Sequence, residues 1–145
     1  MSSYYRQSLE NYLKDLDIKA NKVLDIGGSS NPAYKRVHSF EVNEYLILDN
    51  NAEQDYETNG WKKPDIQADI NETIITDTSF DYIFCLEVFE YVYNPLQALR
   101  NIKNMLTNNG NALITFPFIY PVHNPKELDY LRYTEFGITK LVEKA

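Results

Sequence analysis

Apolar side chains recur at helical spacing in three parts of the chain, and each part predicts an amphipathic helix. The first helix lies near the N-terminus and carries Tyr5, Leu9, Tyr12, Leu13 and Leu16. The second begins at Pro95, ends at Asn109-Gly110, and carries Leu96, Leu99, Ile102 and Leu106. The third begins after Thr134 and carries Phe136, Ile138, Leu141 and Val142. Asn31-Pro32 further predicts a short helix that ends before Asn43.

Five short apolar runs lie between these helices and predict strands. They span residues 22–26, 45–49, 65–69, 80–86 and 111–118. Apart from the weaker third run, they are continuous rather than alternating, which is typical of strands buried on both faces. The pattern predicts an α/β fold with a mostly parallel, doubly wound sheet. The polar stretch from 50 to 63 shows no helical period.

Composition and charge restrict the class of protein. A chain of 145 residues predicts one domain, 1–145. Its net charge of −7 opposes a nucleic-acid or anionic membrane partner. The single cysteine, the absence of a secretory signal and the strand-sized apolar runs predict a cytoplasmic protein. The 2 histidines and 1 cysteine fall in separate elements, so no metal is expected.

Small and acidic residues follow the predicted strands. In a sheet of this kind, ligands bind beyond the carboxyl ends of the strands. Gly27-Gly28 after the first strand would let a ligand approach the backbone closely. Asp49 ends the second strand, where a carboxylate can accept hydrogen bonds from both hydroxyls of a ribose.

Five segments in this order resemble the class I S-adenosylmethionine-dependent methyltransferases of the type 11, small-molecule kind. They are residues 23–28, 48–49, 68–70, 79–95 and 106–110. The resemblance implies a Rossmann-like sheet with strand order 3-2-1-4-5. It also implies a seven-stranded fold, so this chain would lack the last two strands. The implied cofactor is S-adenosylmethionine (SAM), with S-adenosylhomocysteine as its product.

The resemblance assigns the methionine end of SAM to residues after the first and fourth strands. Asp25 would orient the amino group, and Gly27, Gly28 and Ser29 would approach the ligand. Leu86-Glu87 would lie beneath the methionine part and the methyl group. Two alternatives stay open: Asp25 as a cap of its own loop, and Leu86 as a core residue.

The nucleoside end of SAM falls, by the same resemblance, to residues after the second and third strands. Asp49 and Asn50 would bind the ribose, and Asp69 with Ile70 would bind the adenine. Asp69 could equally cap its own loop.

The chain departs from the family pattern at three places. Ser29 and Asn31 stand where the family has glycines, the helix between strands 2 and 3 is replaced by polar sequence, and Tyr91 stands where a histidine is common. Methyl transfer from a sulfonium needs orientation and a dry site more than a catalytic base. Tyr91 and His123 are the two candidates for a base or an acceptor clamp, against a purely structural role for each.

Three functions are compared. The first is a methyltransferase acting on a small-molecule or saccharide-type acceptor, the latter suggested by residues 129–134. The second is a non-catalytic binding module with the same fold. The third, a nicotinamide-dependent oxidoreductase, is disfavoured because no Gly-x-Gly-x-x-Gly follows the first strand.

The uncharged fifth strand would have an open edge if the last two strands were absent. We therefore expect a homodimer formed through that edge or through the last helix.

Overall fold

Five parallel strands form one sheet, and their order is β3-β2-β1-β4-β5, as predicted. The computed structural model describes residues 4–50 and 56–145. The strands are β1 Asp17–Ile26, β2 Ser39–Asp49, β3 Ile66–Gln67, β4 Phe80–Cys85 and β5 Leu106–Ile114. The helices are α1 Tyr4–Lys14, α2 Tyr56–Asn59, α3 Pro95–Met105 and α4 Glu135–Lys144. Single 3₁₀ turns occupy Ala33–Lys35, Phe89–Tyr91 and Lys126–Leu128.

Helices cover both faces of the sheet, so the fold is doubly wound and Rossmann-like. Leu9 and Leu13 of α1 pack with Val23 and Phe84 on one face. The other face packs against α3, mainly through buried strand residues and through Ala98, Leu99, Ile102 and Met105. Alternate residues of the central strands therefore enter different cores, which explains why these strands are continuously apolar.

The first two strands begin earlier than predicted. They pair in one register from Asp17 opposite Ser39 to Ile26 opposite Leu48, with no ladder pair at Asn21 and Asn43. Their added halves alternate polar residues with Ile18, Ala20, Phe40 and Val42, which pack in the core beside α1. The Asn43 amide donates to Asn21 at 2.9 Å, and Lys22 lies 2.9 Å from Glu44. This alternation is typical of a half-buried strand, so the prediction began both strands too late.

The predicted helix after Asn31-Pro32 is wrong in extent. Only one 3₁₀ turn, Ala33–Lys35, forms before the chain enters β2 at Ser39. The polar stretch after β2 was predicted to lack a helix, but it contains the short α2. Residues 51–55 of that stretch lie outside the described part.

The junction between α3 and β5 also differs from the prediction. The helix ends at Met105, and Asn109-Gly110 lies inside β5 rather than at a helix end. The pairing with β4 jumps from Leu106 to Asn111, which marks a bulge. A side chain at Gly110 would lie 2.9 Å from the Phe80 carbonyl oxygen, so the bulge requires a glycine there. β5 ends at Ile114 instead of 118.

The last helix packs on α3 rather than standing alone. Ile138 and Leu141 contact the core beside α3, and the Lys103 Nζ donates to the Ala145 carbonyl at 3.2 Å. Thr134 caps the helix by accepting from the Gly137 N–H at 3.1 Å. β5 lies at the edge of the sheet within the described residues. No helix in the described ranges is long and apolar enough to cross a membrane.

Asn101 of α3 fastens the loop that follows β3. Its side chain is buried, and its amide donates to the carbonyls of Ile70 at 2.9 Å and Glu72 at 2.6 Å. Its oxygen accepts from the Ile74 N–H at 3.1 Å. Alanine at this position would leave three backbone groups of the loop without their partner, two of which accept hydrogen bonds and one of which donates.

We predict that Asn101→Ala lowers the free energy of unfolding by about 3 kcal/mol, because buried polar groups lose their hydrogen bonds. Urea denaturation measures this loss. Asn104→Ala, an exposed change of the same type in the same helix, should change it by less than about 0.5 kcal/mol. Equal effects of the two substitutions would contradict the proposed role of Asn101.

Candidate functional site

One cleft of about 510 Å³ opens at the carboxyl ends of the strands. Its walls are the loops after β1, β2, β3 and β4, together with α1 and the segment from His123 to Tyr130. Eight of the ten residues predicted to bind the cofactor line it: Gly27, Ser29, Asp49, Asn50, Asp69, Ile70, Leu86 and Glu87. Tyr91 and His123 line it as well. The fold thus brings these distant parts of the sequence to one place.

The loop after β1 is held close to the neighbouring loops. Gly27 has a φ of +76°, and a side chain there would collide with Val88. Its N–H donates to the Leu48 carbonyl at 2.8 Å, which joins the ends of β1 and β2. Gly27 is therefore required both for its backbone conformation and for the close packing of the loop.

Asp25 and Gly28 lie beneath this loop and are not part of the cleft wall. The Asp25 carboxylate accepts hydrogen bonds from the Ala33 N–H, at 2.7 Å, and from the Tyr45 hydroxyl. A side chain at Gly28 would overlap that carboxylate. The contacts agree with the alternative that Asp25 caps its own loop, and a direct contact of Asp25 or Gly28 with the cofactor stays a prediction.

Burial changes the acidity of Asp25. Loss of solvation raises the pKa of its carboxyl to about 6, although hydrogen bonds from Ala33 and Tyr45 favour the charged form. Burial also raises the pKa of the Tyr45 hydroxyl, and the negative charge of the Asp25 carboxylate raises that pKa further. Burial of the Asp25 carboxylate therefore costs free energy, while its hydrogen bonds hold the loop.

Two carboxylates at the other side of the cleft each keep one oxygen available. Asp49 Oδ1 accepts from the Asn50 N–H at 2.9 Å, and Asp69 Oδ1 accepts from the Asn71 N–H and side-chain amide, both at 2.9 Å. Asp69 therefore does organise its own loop, while Oδ2 of both acids has no hydrogen bond to the described residues. Both acids line the cleft, so these oxygens are candidate acceptors for a bound ligand.

Asn71 connects the loop after β3 to the segment before α3. It is buried, and its oxygen accepts from the N–H groups of Tyr93 at 2.9 Å and Asn94 at 3.0 Å. This residue was not predicted, because an asparagine in a polar loop has no distinguishing pattern.

Glu87 sits in an unusual backbone conformation at the floor of the cleft. Its φ is +56°, and its N–H donates to the Thr115 hydroxyl at 2.7 Å. Its carboxylate accepts from Arg6 at 3.0 Å and from Arg36 at 3.1 Å. Strained non-glycine residues are held in place by their surroundings and often mark functional sites. The two arginines were missed because they are 81 and 51 positions away in sequence.

Aromatic side chains surround His123 in the cleft wall, and this part is called the aromatic end. The His123 ring stacks on Tyr91, with ring centres 6.1 Å apart and planes 19° apart, and touches Tyr120 at 4.5 Å. Its Nδ1 lies 3.4 Å from an oxygen of Glu90, which is buried. The structure therefore places both catalytic candidates, Tyr91 and His123, side by side.

Comparison with known proteins identifies the family. A family model described as a methyltransferase domain matches residues 24–114. The chain belongs to the class I SAM-dependent methyltransferases. Its cofactor is SAM. The matched region runs from within β1 to the end of β5, and hence contains most of the loops that form the cleft.

One curated relative of this methyltransferase is the ubiquinone biosynthesis O-methyltransferase of Rickettsia prowazekii. The two are 33% identical over 104 residues, which are 68% of this chain and 41% of the relative. The chain therefore spans about two fifths of that relative's length.

Two solved structures share the fold. A SAM-dependent methyltransferase of Leishmania major has a TM-score of 0.67 and 15% identity, covering 95% of this chain and 59% of that protein. Phosphoethanolamine N-methyltransferase 2 of Haemonchus contortus, in complex with SAM, has a TM-score of 0.61 and 13% identity, covering 98% and 36%.

The residues of this methyltransferase fit the cofactor. Ser29 lies in the cleft wall, and its hydroxyl is buried without a hydrogen bond partner among the described residues. A buried hydroxyl of this kind calls for a ligand group, since an unmet hydrogen bond is costly. The free oxygens of Asp49 and Asp69 are acceptors, as ribose hydroxyls and an adenine amine require. No group of three or more His, Cys, Asp or Glu side chains suited to a metal occurs in the described residues.

We predict that Asp25→Asn stabilises the methyltransferase above pH 6. The Asp25 pKa is about 6 in the folded state and 3.8 without the protein environment, so the fold disfavours the charged form. That cost is complete above pH 6 and disappears as the pH falls from 6 to 4. The asparagine variant should be about 2 kcal/mol more stable at pH 7.5, and the advantage should vanish near pH 4.

Urea denaturation at several pH values tests this. Asp15→Asn, an exposed control, should show no such pH-dependent difference. A constant or reversed difference for Asp25→Asn would contradict the burial cost.

Proposed function

We propose that this methyltransferase binds SAM across the carboxyl ends of β1, β2 and β4 and methylates a small-molecule acceptor held beside Tyr91 and His123. The observation that carries the proposal is that one cleft collects the strand-end residues Gly27, Ser29, Asp49 and Asp69 together with Tyr91 and His123. SAM, when bound, supplies a methyl group activated by a positively charged sulfur.

Each part of the cleft has a role toward the cofactor. Asp49 would accept hydrogen bonds from the ribose hydroxyls, with Asn50 beside it. Asp69 would accept from the adenine amine, and Ile70 would cover the ring. These positions support the assignments because their free acceptor atoms line the same side of the cleft.

The methionine part would lie over Gly27 and Ser29. Arg6 and Arg36 both reach the cleft and both contact Glu87. Arg36 also pairs with Glu10 at 2.6 Å, so the two arginine charges are balanced by Glu10 and Glu87. Their guanidinium N–H groups would act toward the methionine carboxylate as hydrogen-bond donors. Leu86, which is 7% exposed, would exclude water from the region of the methyl group.

A small-molecule acceptor is supported by the relative, whose printed name describes an O-methyltransferase of ubiquinone biosynthesis. The saccharide interpretation of residues 129–134 is less well supported. Asp129 accepts from Arg132 at 2.8 Å, and the same arginine donates to the Tyr120 and Pro121 carbonyls at 3.3 Å. These polar groups are occupied in supporting the loop.

We predict that Asp49→Ala weakens binding of S-adenosylhomocysteine by roughly 10–100-fold, because a charged acceptor of two ribose hydroxyls is lost. Isothermal calorimetry measures the dissociation constant. Asp77→Ala, an exposed aspartate away from the cleft, is the matched control and should bind as the wild type does.

An unchanged dissociation constant for Asp49→Ala would contradict the ribose assignment. If the wild type binds neither SAM nor S-adenosylhomocysteine, the non-catalytic module becomes the better interpretation of this chain.

We further propose that the chain forms a homodimer. β5 has no neighbour on its outer side among the described residues, and α4 exposes Phe136 and Val142. An open strand edge and an apolar helix face both favour association. Sedimentation at micromolar concentration should show a dimer. Ile114→Lys should disrupt it if the strand edge forms the contact, and Val142→Lys should disrupt it if α4 forms the contact. A wild-type monomer would contradict the proposal.

A further inference from the structure

Three of the carboxylates that line or adjoin the cleft have a basic neighbour, and these neighbours differ. Glu87 is paired with Arg6 and Arg36, and Asp129 is paired with Arg132. Glu90 has no arginine or lysine within ion-pair distance in the described part of the chain, and its neighbour is His123. A histidine beside a carboxylate differs from an arginine because it can gain and lose a proton near neutral pH.

The geometry of the pair determines which nitrogen faces which way. Nδ1 of His123 lies 3.4 Å from Glu90 Oε1, is enclosed by protein, and has no hydrogen bond. The side chain is 27% exposed and lines the cleft, so with Nδ1 enclosed, Nε2 is the ring nitrogen that an acceptor could reach. An approach of roughly half an ångström would complete an Nδ1–H···O bond. The proton then resides on Nδ1, and Nε2 is left as the basic atom.

The backbone around His123 is fixed by the rest of its loop. Its N–H donates to Asp129 at 2.6 Å, and Asp129 is itself held by Arg132. On the other side, the Tyr130 N–H donates to the Glu90 carbonyl at 2.8 Å. Both members of the pair are therefore connected to the same loop, and their relative position is maintained without a ligand.

Charge favours a proton on this pair. Burial raises the pKa of the Glu90 carboxyl, and the charges of Glu87 and Asp129 raise it further, whereas His123 lowers it. A proton arriving at Nε2 would turn His123 into a cation next to a buried anion. The pair then resembles a buried ion pair, which is more stable than an isolated buried carboxylate.

We propose that Glu90 and His123 form an acid–base pair that removes the proton from a hydroxyl group of a planar aromatic acceptor. His123 would be the base, and Glu90 would be a positioning residue that orients the imidazole and stabilises its protonated form. This inference rests on the proposed function, because it assigns the acceptor to the aromatic end of the same cleft.

The proton and electron balance of the step is complete with groups already named. The acceptor oxygen forms a bond to the methyl carbon while the bond from that carbon to the donor sulfur breaks, and that electron pair stays on sulfur. The acceptor proton moves to Nε2 of His123 and is later released to water. No oxidant, reductant or metal enters this balance.

The class of acceptor follows from the surroundings of Nε2. Tyr91 and Tyr120 contact the imidazole. The tyrosine rings that line the cleft are Tyr91, Tyr93 and Tyr130, and the last two pack 5.7 Å apart. Aromatic walls favour a flat apolar ring by stacking. A hydroxyl acceptor benefits from a base that removes its proton, and a carboxylate beside the base supports this role. An amine acceptor depends less on such a base.

The test uses 4-nitrocatechol, an aromatic diol whose anion absorbs visible light, with the protein saturated with S-adenosylhomocysteine. At a pH where most of the free probe is neutral, the wild type should bind it and produce the anion band. His123→Gln, which keeps a polar side chain of similar reach, should bind the probe without that band. Glu90→Gln should reduce the anion-to-neutral ratio of the bound probe by about tenfold, equivalent to one pKa unit.

The control is His38→Ala. His38 is exposed and bonded to Asp17 at 2.8 Å, so its removal should leave the anion band unchanged. Calorimetry with S-adenosylhomocysteine on each variant shows whether the cofactor end is intact. If the cofactor binds but the wild type gives no anion band, the acid–base pair is wrong while the cofactor assignment stands. If the cofactor does not bind, the proposed function itself fails.

A second measurement examines Glu90 without any acceptor. Nitrogen NMR of the neutral imidazole distinguishes the two tautomers, and the chain has only 2 histidines. His123 should carry its proton on Nδ1. A proton on Nε2 would overturn the positioning role of Glu90 even if the probe ionises.

Discussion

The buried carboxylate of Asp25 is the constraint on which the site depends. It accepts from the Ala33 backbone and the Tyr45 hydroxyl, and so joins the loop after β1 to the turn beyond it and to β2. The loop can pass over this carboxylate only because residue 28 is a glycine. The raised pKa of Asp25 reflects the free-energy cost of burying its charge. In return, its hydrogen bonds hold the loop that forms part of the cleft wall.

Other contacts extend the effect of Asp25 to the neighbouring loops. Lys62 donates its N–H to the Ser29 carbonyl at 2.9 Å, and its ammonium group lies 5.6 Å from the Tyr45 ring. The aromatic ring that hydrogen-bonds to Asp25 is therefore also packed under the segment after α2. A change at Asp25 would affect the position of Ser29 even though the carboxylate does not reach the cleft.

The carboxylates of the cleft differ in their partners. Asp49 and Asp69 each keep one oxygen free of hydrogen bonds to the described residues, arginines pair with Glu87, and a histidine neighbours Glu90. A histidine can gain or lose a proton, which is useful where a proton is transferred. An arginine stays charged and is suited to permanent neutralisation of a carboxylate. This difference is the reason to place acceptor chemistry at the aromatic end and cofactor recognition elsewhere.

Hydrophobic patterning was sufficient for the sheet and its ligand edge, because strands buried on both faces must be apolar and parallel strands share one carboxyl edge. The resemblance to a known family added the strand order and the cofactor. Patterning failed where contacts are polar and distant. The bulge at Gly110 depends on how β5 matches β4, which neither strand records in its own sequence.

The site shows the same limit. The amino-acid sequence by itself determined the acids and glycines that follow the strands, since those positions are local to each strand. Only the tertiary structure decided that Arg6 and Arg36 meet Glu87, that Asn71 and Asn101 hold the loop after β3, and that His123 faces Glu90. The physical reason is that a charge or a hydrogen bond acts across a few ångströms of space, while the residues that share it are separated by tens of positions along the chain.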